Sequence, residues 1–105
     1  MGQTILEEAA EITAKERRKN YDHPTPNHER IKTLWNAYLS IRKDPKAKIS
    51  KEDVVKMMIL VKLARDAWMP LRDNLVDICG YTRLLEVMRE DTDTKDLTGV
   101  ITYGC

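Results

Sequence analysis

The sequence predicts an all-α fold, an antiparallel four-helix bundle with a short irregular C-terminal tail. Three observations carry that expectation. Two Ser/Thr-x-x-acid capping boxes, Thr4 to Glu7 and Ser50 to Asp53, mark helix starts. Apolar residues recur at helical spacing between polar or proline-containing breaks. One stretch, Val54 to Trp68, is apolar on nearly every side, as befits the centre of a bundle or a subunit interface.

With 105 residues the chain can build one core, so residues 1–90 are assigned to a single helical domain and 91–105 to a tail. Its 18 basic and 17 acidic side chains nearly cancel, which leaves little general attraction for nucleic acid or an anionic membrane. Any anion binding must be local. No run approaches the roughly 18 apolar residues of a membrane span, and a cytoplasmic protein is expected.

The first helix starts at the Thr4 box, shows Ile5, Ala9 and Ile12 on one face, and is expected to run to about Lys19. Lys15, Arg17, Arg18 and Lys19 suit the negative end of its dipole, although Arg17 or Arg18 is also a candidate ligand contact. Asn20-Tyr-Asp-His-Pro-Thr-Pro26 is expected as a stiff loop, and Asn27 as the cap of the second helix. There Ile31, Leu34, Trp35, Tyr38, Leu39 and Ile41 define the clearest amphipathic face. A polar connector around Pro45 leads to the Ser50 box and the third helix, which Pro70 ends. The fourth helix, about Arg72 to Glu90, is expected to turn Leu75, Val76, Cys79, Leu84, Val87 and Met88 to the core. Gly80 inside it costs about 1 kcal/mol relative to alanine, which close packing or ligand approach would offset. Cys79 and Cys105 form neither a disulfide framework nor a metal-spacing pattern, and both are expected as free thiols.

Asp73 and Asp77 stand four residues apart on one helix face, where two carboxylates can share a ligand hydroxyl or a cation; the competing reading is an acidic first turn that complements the dipole. Lys62 and Arg65 lie in the apolar third helix, and burying them demands partners. Those partners are Asp77, Asp73 or Asp66 in a structural network, or the phosphate of a ligand. His23 and His28 lack the companions of a metal site. Tyr21 and Trp35 can stack on a base, but Trp35 falls at core spacing. There is no Gly-rich phosphate loop and no nucleophile elbow, and the Glu7-Glu-Ala-Ala-Glu11 string is of a kind that helices produce by chance.

Arg17, Tyr21-Asp-His-Pro24, Asn27-His-Glu-Arg-Ile31, Leu34-Trp35, Asp53-Val54, Met57-Met58, Lys62-Leu-Ala-Arg65 and Asp73-Asn-Leu-Val-Asp77-Ile-Cys-Gly-Tyr81 together resemble a small family of phage and prophage proteins. That family is distantly similar to the MazG-like all-α nucleoside triphosphate pyrophosphatases, which hold Mg²⁺ with Glu-Glu-x-x-Glu on one helix and Glu-x-x-Asp on the next. Asp77 matches the Asp of the second pattern, Asn74 stands at its Glu, and Lys62 and Arg65 occupy the helix where the first pattern belongs. Cations in place of metal-binding carboxylates contact phosphate directly but repel Mg²⁺.

The resemblance therefore implies a nucleotide-like phosphorylated ligand that is held and not cut, such as a host immune signal sequestered by a phage protein. On this reading there is no catalytic residue, metal or cofactor. Lys62, Arg65 and Arg17 contact phosphate, Asp73 and Asp77 take ribose hydroxyls or orient the cations, and Tyr21 and Tyr81 flank base or sugar, between subunits of a homo-oligomer. The alternative is a divergent Mg²⁺-dependent nucleotide pyrophosphohydrolase using Asp53, Asp73, Asp77 and Glu29. A third reading is a structural or protein-binding helical module whose charges form only a buried network.

Overall fold

The computed structural model describes residues 2–15 and 23–96, and every regular element among them is a helix. Helix α1, Ile5–Lys15, begins where the sequence places it. The Glu7 amide donates to Thr4 Oγ1 at 3.1 Å and the Thr4 amide donates to Glu7 Oε1 at 2.9 Å, completing the box. The Thr4 backbone hydrogen bond holds the Glu7 carboxyl below its ordinary pKa. The helix packs on none of the other described helices, and Ile5 and Leu6 are 85% and 82% exposed.

Helix α2, Pro24–Ser40, starts earlier than predicted, because Pro24 sits in its first turn. A proline there forfeits only an N–H that has no helical partner anyway. The cap is His23, not Asn27: the Thr25 amide donates to His23 Nδ1 at 3.2 Å, while His28 Nδ1 donates to the Pro24 carbonyl at 2.7 Å. Both histidines thus serve the helix start. Asn27 is instead only 4% exposed, on the face that α2 turns inward.

Helix α3, Lys51–Trp68, carries the predicted second box, with the Asp53 amide on Ser50 Oγ at 3.1 Å and the Ser50 amide on Asp53 Oδ2 at 2.9 Å. Helix α4, Arg72–Asp96, continues beyond the expected end at Glu90, so the first part of the predicted tail is helical. Residues 97–105, including Cys105, lie outside the described residues.

The helices α2, α3 and α4 run antiparallel in sequence order. Ile31, Val61 and Ala64 form the core between α2 and α3, with Leu34, Trp35 and Met58 packed against them. The Trp35 indole N–H donates to the Met57 carbonyl at 2.8 Å, and the Tyr38 hydroxyl donates to Asp53 Oδ1 at 2.6 Å. On its other side α3 meets α4 through Lys62 with Asp77, Asp66 with Asn74, and Glu52 with Arg89. Asp53 and Lys62, like Met57 and Asp66, are nine residues apart, about two and a half turns, so α3 contacts its neighbours from opposite sides. Helices α2 and α4 do not pack on each other. The three helices therefore lie side by side as one layer, with α3 central as its all-round apolar sequence anticipates.

That arrangement corrects the expected core face of α4. Leu75, Val76, Leu84 and Val87 are 56%, 50%, 47% and 37% exposed, and Cys79, a free thiol, is exposed as well. The face turned to α3 holds Asn74, Asp77, Ile78, Tyr81, Leu85 and Met88. That face combines Ile78, Tyr81, Leu85 and Met88 with two polar contacts to α3, Lys62 with Asp77 and Asp66 with Asn74, and leaves the aliphatic flank outside.

Candidate functional site

Lys62 is the organising charge. It sits mid-helix on the α4 side of α3, where its aliphatic stem is covered, and its side chain is 16% exposed. Its ammonium pairs with Asp77 Oδ2 at 3.0 Å, while the Asp77 side chain remains 45% exposed. The carboxylate thus bridges a covered cation and open solvent. Beyond it a groove of about 420 Å³ runs along α4, lined by Val76, Asp77, Gly80, Tyr81 and Leu84. The volume is in the range of small-molecule sites. Gly80 forms part of its floor, and a Cβ there would meet nothing within 4 Å. An ammonium has three N–H donors and Asp77 takes one, so the centre can also donate to a phosphate oxygen.

Of the expected ligand contacts, the structure pairs Lys62 with Asp77 and sets Asp77 and Tyr81 along one groove. Arg65 stands half-buried one turn further along α3, at the α3 end nearest the α4 start. Asp73 is exposed in the first turn of α4, where a carboxylate suits the positive helix end. It is Asp77, not Asp73, that engages Lys62. Asp66, the other predicted partner of Lys62, is used differently: its Oδ1 accepts from the Leu71 amide at 3.0 Å and from Asn74 Nδ2 at 3.1 Å, closing the turn between α3 and α4. Arg17 and Tyr21 lie outside the described residues.

The carboxylates of the hydrolase alternative do not converge. Asp53 is 8% exposed and its oxygens are committed to the Ser50 amide, the Tyr38 hydroxyl and Arg42 Nη1, the last at 2.9 Å. These bonds, the Ser50 backbone first and then Tyr38, hold its pKa well below the ordinary carboxylate range. Burial, and then Asp53 itself, push the Tyr38 hydroxyl up to about 12. Asp53 lies roughly 13 Å along the α3 axis from Lys62 and on the opposite side of the helix. Glu29 is on α2, paired with Lys32 at 2.8 Å. Among the described residues no three His, Cys, Asp or Glu side chains group as ligands of one metal ion.

A second concavity, about 480 Å³, covers the connector between α2 and α3 and is lined by Lys43, Lys48 and Lys56 around Arg42 and Asp53. Its charged floor already holds the connector, since Arg42 also donates to the carbonyls of Leu39, Pro45 and Ala47. It is larger than the α4 groove but offers no buried charge left to a ligand.

Two residues take parts that the sequence reading did not give them. Asn74 is 4% exposed and orients Asp66, and Asn27, equally buried, has an Oδ1 that meets no hydrogen-bond donor among the described residues. Asn27 was legible as the residue that continues the Ile31, Trp35 and Tyr38 face one turn earlier.

Residues 4–89 match the profile of a domain of unknown function, DUF6378. The chain is 40% identical over 93 residues to the Gene 55 protein of Mycobacterium phage L5, and 38% identical over 92 residues to the Gene 55 protein of Mycobacterium phage D29. These alignments cover 88% and 87% of this chain but 56% and 57% of the relatives, so the chain spans little over half of their length. No solved structure matches.

Proposed function

The chain belongs to the DUF6378 family, with relatives encoded by phages, and from that premise we propose that it binds a nucleotide-like phosphorylated ligand and retains it without cleavage. One observation carries the reading: an aspartate that lines an apolar groove together with a tyrosine is held, half-exposed, by a mostly covered lysine. The groove supplies an apolar surface for a base or sugar, Tyr81 a ring to flank it, Asp77 acceptors for ribose hydroxyls, and Lys62 with Arg65 the charge for phosphate.

The scattered carboxylates favour retention over metal-dependent hydrolysis. The all-helical build, and Asp77 at the end of a Glu-x-x-Asp-like segment, accord with distant kinship to the MazG-like pyrophosphatases, on a scaffold whose metal-binding glutamates have given way to cations. In a phage protein such a site suits capture of a host nucleotide signal. Lys62→Ala is expected to abolish binding of linear or cyclic nucleotides in calorimetry while far-UV circular dichroism stays helical. Unchanged affinity sinks the assignment.

A further inference from the structure

We propose that α4 is the interface of a homodimer, crossing its own copy antiparallel about a two-fold axis at Gly80. The crossing uses the residues that line the groove, so it sets the ligand site of the proposed function at the seam between two copies, while self-association is measured apart from ligand binding.

A single layer of helices leaves both faces to water, whereas stable domains bury their apolar faces between at least two layers. The consequence is visible in the burial: among the described residues no large side chain is fully buried, and only Ile31, Val55, Met57, Val61 and Ala64 are buried apolar residues. A layer that is always open needs a partner that is always present when it folds, and a second copy meets that condition.

The α4 face is also complementary to itself. In an antiparallel crossing at Gly80, residues equally far before and after it face each other. Val76 then meets Leu84 of the copy, four residues either side, and Asp77 meets Arg83, three residues either side. Arg83 is 61% exposed and pairs with Glu86 on its own helix, from where it can reach across. Among the described residues nothing lies within 4 Å of a Cβ built at Gly80, yet glycine is unfavourable inside a helix. Close approach of a second α4 gives it a use. The same crossing roofs the groove beside Lys62 and Asp77 with the copy's helix.

Sedimentation velocity of the full chain is expected to return twice 12.2 kDa, and a monomer overturns the proposal. Leu84→Glu is expected to weaken self-association at least tenfold. Because that variant can also fail to fold, a second measurement keeps the chain intact. Gly80→Cys, in a background with Cys79→Ser and Cys105→Ser, places two thiols on the axis, and mild oxidation is expected to link the dimer covalently. Leu75→Cys in the same background, on the other flank of α4, is expected to stay unlinked. A dimer in which Gly80→Cys does not cross-link, or Leu75→Cys does so equally well, overturns the α4 interface.

Discussion

Replacing Arg42 by methionine tests how the connector between α2 and α3 is held. The side chain is 12% exposed, and its guanidinium donates to the carbonyls of Leu39, Pro45 and Ala47 at 3.2, 3.1 and 2.8 Å and to Asp53 Oδ2 at 2.9 Å. The three carbonyls belong to residues with access to water, which replaces the lost donor in part, so each contact is worth about 0.5 kcal/mol. The bond to the Asp53 carboxylate is charge-assisted and covered, worth about 1.5 kcal/mol or more. Methionine keeps the stem packed, so the loss is about 3 kcal/mol out of the roughly 5–15 kcal/mol of a chain this size. With a urea dependence of about 2 kcal/mol per molar, the unfolding midpoint followed by circular dichroism falls by about 1.5 M. Lys43→Met, one residue on and exposed, is the control and is expected to change stability by no more than about 0.5 kcal/mol. If the two variants unfold alike, the connector is not held by Arg42 and the account of the Asp53 network is wrong.

Asp53, whose folded pKa is depressed, contributes stability that is complete above the ordinary carboxylate value of about 3.9 and is lost as the pH falls through the folded value. Between about pH 6 and about pH 2 the urea midpoint of the native chain should therefore fall further than that of Asp53→Asn, and equal falls refute the assignment. Ala64, 2% exposed between α2 and α3, leaves no room for a larger side chain; Ala64→Leu should cost about 1–3 kcal/mol, and a neutral result would show that the core is looser than described. Trp35→Phe removes the donor to the Met57 carbonyl and should cost about 1 kcal/mol or more in thermal unfolding, whereas an unchanged midpoint would mean that water replaces the indole there.

What was legible in the sequence was local. Capping boxes act over three residues and helical faces over one or two turns, so the start of α1, the capped start of α3 and the Ile31 to Tyr38 face of α2 follow from the residues themselves. The start of α2 was misplaced because Pro24 reads equally as a breaker or as a first-turn residue, and only the cap geometry of His23 separates the two. The rotation of α4 was not legible, because it shows only in cross-helix contacts such as Lys62 with Asp77 and Asp66 with Asn74, whereas Leu75, Val76, Leu84 and Val87 remain outside. A hydrophobic pattern alone assigns those four to a core, and it does not say whether that core lies within the chain or between chains. The pairing of Lys62 with Asp77 was among the alternatives the sequence left open; the commitment of Asp53 to Tyr38 and Arg42 was not foreseen, because it joins side chains from α2 and the connector to the start of α3.

The most direct test of ligand retention is to incubate the purified protein with linear and cyclic nucleotides and Mg²⁺, remove free ligand, denature the protein and identify what it releases. Near-stoichiometric recovery of an intact nucleotide from the native chain, lost in Lys62→Ala, is the predicted result. Cleaved product in solution, or no nucleotide carried through, would contradict it.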